Sequence, residues 1–585
     1  MQKIKRFFKE FKIPTKSELK KSIDTFSTKE KLIFSFITLG LLVSSLILLN
    51  RLNQYFMVEV PTTGGSISEG ILGTPRFVNP VLAISDTDKD LTTLIYSGLM
   101  RKMPNGDIAE DLAEKYEVSK DSLIYTFTLK DKIYFHDNKP VTADDILFTI
   151  NKIKDSNLKS PKRASWEGVE VEKVDDKTIK FILKQPYSAF LENTTIGILP
   201  SHIWKNITPE QFSFSDFNIN AIGTGPYEIK KVSKKSSGLI DSYSLTSFKK
   251  FALGEPFIPK IVLSFYSNEK DLIKALNSGQ IKNISAISPE KANENKDNYR
   301  IETTVLPRIF GLFFNQTEAP LFADKNIIKA IDKGIDKNRI IQEVLYGYGI
   351  SIDGPVPRQM TDYSESENKN ELNREESVKQ AIDILTKDGW KLGGDGIMEK
   401  QIINKKKKEI KKLLFSISTS DAPELKKATD LIKENLAEIG ISVEVKVFEI
   451  GNLNQDVIRP RKFESLFFGQ IINHQSDLFA FWHSSQRDDP GLNITGYANS
   501  KVDKILEDAI NTKNRTDMFE KYNQVEEELK KDAPAVFIYS PDFIYIVSKK
   551  LEGLNIDHLI NPSDRFSNIY SWYTNTEKVW NIFVK

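Results

Sequence analysis

The 585-residue chain contains no cysteine. That absence excludes disulfides, thiolate metal sites, cysteine nucleophiles and a lipid anchor on an N-terminal cysteine. Histidine is scarce as well, with five in the chain. Two of these, His474 and His483, flank Asp477 and raise the question of a metal, since imidazole and carboxylate suit transition ions. The spacing H-x2-D-x5-H matches no standard helical ligand pair, so neither a metal nor any other cofactor is expected. The sequence also lacks G-x-S-x-G, H-E-x-x-H and P-loop motifs. Asp144/Asp145 and Asp488/Asp489 are adjacent acids, and neighbours in a helix or turn point apart, so neither pair forms a two-carboxylate site by itself. A non-enzymatic role is expected, with a carboxylate-dependent surface hydrolase as the weaker alternative. No repeat of 20–50 residues is present either, which argues against a solenoid.

What is present is bulk and apolar side chains. Hydrophobic residues make up 40% of the chain, with 36 Phe and 19 Tyr, enough for sizeable cores. Cores stop growing near about 250–300 residues, so two or three lobes are required. The net charge of +2 hides an asymmetry: residues 1–31 hold ten Lys/Arg against four acids, a surplus of six, leaving −4 on the rest. A nucleic-acid binder keeps its positive charge on the folded body, so nucleic acid is not an expected partner.

Residues 32–49 (LIFSFITLGLLVSSLILL) carry no charge. As a helix they extend about 27 Å, the thickness of a bilayer core. Basic residues before the run place the N-terminus on the cytoplasmic side and everything after residue 50 outside. No small-x-small cleavage site follows residue 49, so an uncleaved signal anchor is expected, with 1–31 as a basic cytoplasmic leader. Residues 50–65, ending in PTTGG, read as a flexible linker.

Beyond the linker, Ile67, Gly70 and Ile71 suggest a strand that ends in the exposed loop GTPRFVNPV. Leu123, Tyr125, Phe127 and Leu129 alternate with polar residues and predict a half-buried, hairpin-forming sheet. Thr-Ala-Asp-Asp at 142–145 predicts a capping box opening a helix over 143–154. A second hairpin is predicted at 169–174 and 178–183. Residues 413–418, 424–439 and 442–448 read as strand, helix and strand with Gly440 as C-cap, a βαβ unit that implies a parallel sheet. The polar stretch 361–376 and the basic run 405–408 read as solvated loops.

Several stretches together resemble the family 5 extracellular solute-binding proteins, the oligopeptide-, dipeptide- and nickel-binding components of ABC importers. They include LAEKYEVSKDSLIYTFTL (112–129), GILPSHIW (197–204), AIGTGPYEI (221–229), RIFGLFFN (308–315) and LNITGYANSKVDKILEDA (492–509). Order and spacing both match from about 67 to 575. The resemblance implies an α/β, two-lobed, periplasmic-binding-protein-like fold with an extra inserted domain, here preceded by one transmembrane helix. Lobe I would comprise 66–104, 221–305 and 541–585, the inserted domain 105–220, and lobe II 306–540. The implied function is capture of a peptide or similar solute in the interlobe cleft, and delivery to ABC transporter permease subunits by a monomer tethered in the bilayer through 32–49. A surface sensor or chaperone of the same fold is the alternative.

Peptide capture needs a carboxylate for the ligand's amino terminus and roomy pockets for its side chains. Asp477 is the expected carboxylate, in the stretch where the family holds its amine-anchoring acid, although the usual Asp-x-x-Asp-Pro form is missing here. Trp482 is expected to line the pocket. Phe77, Asn79, Tyr96, Thr224 and Gly225 resemble cleft-facing positions.

Overall fold

The computed structural model describes residues 15–186, 190–285, 287–358, 373–404, 407–472, 477–512 and 515–583. The chain forms two units, Met1–Thr62 with Asn575–Lys585, and Thr63–Thr574.

The first unit holds helices α1 (Lys16–Asp24) and α2 (Thr28–Phe56) and strand β1 (Met57–Thr62). Ser27 starts α2: its hydroxyl accepts from the Glu30 amide while the Glu30 carboxylate accepts from the Ser27 amide. Every residue of the apolar run 32–49 is exposed, and α2 is long and apolar enough to cross a bilayer. The stretch read as a flexible linker continues α2 to Phe56 and is a strand from Met57 to Thr62. β1 pairs antiparallel with Asn575–Trp580, Met57 opposite Trp580 and Thr62 opposite Asn575. The β-branched residues Val58, Val60 and Thr62 favour an extended chain, a pattern that the neighbouring Thr-Gly-Gly obscures.

The second unit is a two-lobed α/β body. Its first strand, β2 (Ile67–Leu72), buries Ile67, Glu69 and Ile71 on one face. The loop after it leads to α3 (Asp86–Ile95), capped by the Ser85 hydroxyl. A four-stranded antiparallel sheet follows, built from β3 (Ala113–Val118), β4 (Ile124–Leu129), β5 (Val169–Lys173) and β6 (Thr178–Leu183) in the order β3-β4-β6-β5. Tyr125, Phe127 and Leu129 point inward as their alternation predicts, but the hairpin partner of β4 is the preceding strand, and Ile133 and Phe135 lie in the loop beyond. Between β4 and β5 comes α4 (Ala143–Lys154), whose predicted capping box forms: the Thr142 amide donates to Asp145 Oδ2 at 2.9 Å.

The large sheet joins the lobes. On one side lie β2, β7 (Tyr227–Lys234), β8 (Ile240–Ser247), β9 (Lys260–Tyr266) and β10 (Asn283–Ser285). β11 (Arg300–Val305) and β12 (Arg308–Phe314) then carry the chain across. On the other side β12 is joined by β13 (Leu414–Ser420), β14 (Ser442–Phe448) and β15 (Ser465–Ile471). β13, helix α5 (Pro423–Glu438) and β14 form the predicted βαβ unit, with its two strands parallel. Gly440 has φ 77°, the left-handed conformation that ends α5 and is strained for residues with a Cβ. One long strand, β16 (Ala535–Val547), belongs to both lobes. Its first half pairs with β12 and its second half with β10 and β11. Separate apolar cores fill the lobes, one around Leu91, Phe127 and Tyr243 and others on the two faces of the β12–β15 sheet.

Candidate ligand cleft

The chain crosses between lobes at two adjacent places, 305–308 and the middle of β16. They are tied together, since the Leu306 amide donates to the Pro541 carbonyl at 3.0 Å and Asp542 sits opposite Val305. The half-buried Asp542 carboxyl lies at this junction, and burial pushes it up to about 6. Its Oδ1 has no hydrogen-bond partner among the described residues. Arg308, the first residue of β12, is paired through its backbone with Ile471 of β15. Burial lowers the pKa of its guanidinium from the ordinary arginine value, and the charge it feels is Asp86 at the start of α3. Arg308 thus belongs to a lobe II strand but answers electrostatically to a lobe I helix.

The five lobe I residues expected at the site gather around α3. Asn79 is buried; its Nδ2 donates to Asn218 Oδ1 at 3.0 Å and its Oδ1 accepts from the Val81 amide. Tyr96 is buried, and its hydroxyl donates to the Val78 carbonyl at 3.4 Å. Thr224 Oγ1 accepts from the Ser97 amide at 3.0 Å. Gly225 lies so close to the end of α3 that a Cβ would sit 2.6 Å from the Ile95 carbonyl carbon. These four are engaged with protein. Phe77 is half-buried, with the Arg76 guanidinium 4.8 Å from its ring centroid. The backbone amides of Arg76 and Phe77 both donate to Asp88 Oδ1, which fixes the loop.

In lobe II, Asp477 opens helix α6 (Asp477–Trp482) and is half-buried. Trp482, at the other end of α6, is fully buried between Phe313, Tyr497 and Phe537. His474 lies outside the described residues. His483 stacks on Phe479 at 4.1 Å and shares a 2.8 Å hydrogen bond with the Ser485 hydroxyl.

Further polar features surround α3. A cavity of about 340 Å³ lies against α3, lined among others by Lys89, Tyr96, Lys162, Trp166 and Asp564. Behind α3, Arg565 is completely buried, with bonds of 2.7 Å to both Asp90 oxygens and of 3.1 and 3.3 Å to Glu69. The Tyr545 hydroxyl of β16 donates to the same Glu69 at 2.7 Å. Burial raises the pKa of both carboxyls; burial also works against the charged arginine, but the two acids outweigh it and raise its pKa. The one sequence signal is Glu69 on the same strand face as Ile67 and Ile71. His136, pushed down to about 4 by burial, accepts from the Gly223 amide and donates to the Gly225 carbonyl as a neutral ring.

Residues 107–490 match the family model for bacterial extracellular solute-binding proteins, family 5 Middle. The chain belongs to this family. Among curated relatives, the oligopeptide-binding protein AppA of Bacillus subtilis (strain 168) is 26% identical over 521 residues, covering 88% of this chain and 92% of that protein. The solved structure of AppA, in complex with a nonapeptide, superposes with a TM-score of 0.64 at 25% identity and covers 88% of this chain and 100% of its own. NikZ from Campylobacter jejuni, solved with Ni(L-His), gives a TM-score of 0.65 at 26% identity over 87% of this chain and 99% of its own. In this family 5 protein Arg308 stands at the start of β12, beside the 305–308 crossing, and the charge it feels is Asp86 at the start of α3.

Proposed function

We propose that the chain is a membrane-anchored, extracytoplasmic solute-binding protein. It captures a peptide between its lobes and hands it to the permease of an ATP-driven importer. The observation that carries this reading is the two-lobed body joined through neighbouring strands at 305–308 and in β16, an arrangement suited to hinge closure around a ligand. The relatives support the choice of ligand: AppA is named for oligopeptides and was solved with one. Helix α2 supplies the anchor, with the body outside and the basic leader inside. Asp477 receives the ligand's amino terminus, Phe77 packs against its side chains, and Trp482 supports the pocket wall from the core.

The test uses full-length protein in detergent and a pool of free-amine peptides followed by calorimetry and mass spectrometry. The expected result is saturable binding with the peptides recovered intact. Asp477→Asn keeps the shape and removes the charge, a loss on the order of 2–5 kcal/mol for free-amine peptides but little for N-acetylated ones. Time-dependent cleavage of the pool would favour a hydrolase instead. Protease added outside intact cells should digest the body, and its protection there would contradict the topology.

A further inference from the structure

One cation beside α3 makes no ion pair of its own among the described residues. Lys162 lines the cavity against α3. Its ammonium makes no ion pair or hydrogen bond with the described residues, whereas its neighbours are provided for: Lys89 pairs with Asp86 at 3.6 Å and Lys102 with Asp564 at 3.5 Å. Asp564 is further occupied by the amides of Ile560 and Asn561. Arg101, also on the cavity wall, donates to the Glu110 carbonyl and lies 5.7 Å from the Tyr570 ring centroid. The remaining acids of the wall are Glu192 and the buried Asp111, whose carboxyl is pushed up to about 6 by burial against the pull of Ser97, Arg101 and Lys130. Burial first, and then Lys89 and Lys102, lower the pKa of Lys162, while the Asp564 carboxylate, already paired with Lys102, opposes them.

A cation drawn partly out of water without a partner raises the energy of the empty protein, and a bound anion relieves that cost. We infer that the ligand carries a negative group that seats against Lys162 in the lobe I cavity. This rests on the peptide reading above and narrows it to acidic peptides, carrying Glu or Asp side chains. Lys89 and Lys102, already paired, set a positive surrounding field without binding the anion directly. Discrimination arises because a neutral ligand leaves Lys162 desolvated and unpaired, while an acidic one makes a charge-assisted bond in a confined space.

The experiment compares peptides of equal length and sequence that differ only by Glu or Gln, titrated by calorimetry into full-length protein in detergent. The Glu peptide should bind about ten-fold tighter or more, and the preference should shrink as salt is raised. Lys162→Gln should abolish most of the preference, and Lys162→Arg should retain it. Equal affinities in the wild type, or a preference that survives Lys162→Gln, would overturn the inference. Citrate and inorganic pyrophosphate form a second arm. If neither peptide binds but these anions bind and depend on Lys162, the anionic site stands and the peptide reading falls. If neither peptides nor anions bind, both fall.

Discussion

Single side chains decide more here than their spacing suggests. Arg565 is 496 positions from Glu69 and fully buried with it. Arg565→Met would leave two desolvated carboxylates unpaired, a loss of about 3–5 kcal/mol visible as a large fall in denaturation midpoint. Asp542 gives the opposite sign. Its folded pKa of about 6 is above the ordinary aspartate value, so its stabilising contribution is complete below about pH 4 and is lost as pH rises through 6. Because the group is half-buried, screening leaves an effect of about 1 kcal/mol. Asp542→Asn should therefore flatten the decline in stability between pH 4 and 7, and an unchanged slope would show the carboxyl to be solvated. Neither residue was legible in the sequence. Glu69 alone hinted at its role, being a charge on an apolar strand face, and nothing local to Lys162 shows that it loses water without gaining a partner.

At the level of elements the sequence speaks more clearly, because the signals are local. The Thr142 box and the alternation of Tyr125, Phe127 and Leu129 each need only a dozen or so neighbouring residues to be read, and the strand–helix–strand run with Gly440 after its helix needs about three dozen. β1 escaped because its partner is Asn575–Trp580, at the far end of the chain. β16 gave only its apolar character; that its two halves serve different lobes follows from pairings with strands hundreds of residues earlier. Gly440→Val forces a β-branched residue into a left-handed conformation, with Met398 Cγ 2.9 Å from the new Cβ position. We expect a cost of about 2 kcal/mol and a lower melting temperature with no change in ligand preference. For α2, arginine at Leu41 and Leu42 together should shift full-length protein from the membrane to the soluble fraction after a carbonate wash, since each charge costs about 2.5–3.5 kcal/mol at mid-bilayer. Retention in the membrane would contradict the anchor.

For the molecule as a whole, the two-lobed α/β fold was legible through many stretches in register, whereas the proposed ligand chemistry depends on Lys162 lining the cavity against α3, which only the fold brings about. The lobes meet at neighbouring strand crossings, so ligand should draw them together, and small-angle scattering should record a smaller radius of gyration in the bound state. The deciding measurement is native mass spectrometry of full-length protein purified gently from its own membranes. We expect a series of non-covalent adducts whose fragments are intact peptides, enriched in Glu and Asp and reduced in the Lys162→Gln protein. Protein that carries no ligand, even after incubation with an acidic peptide pool, would contradict capture as its function.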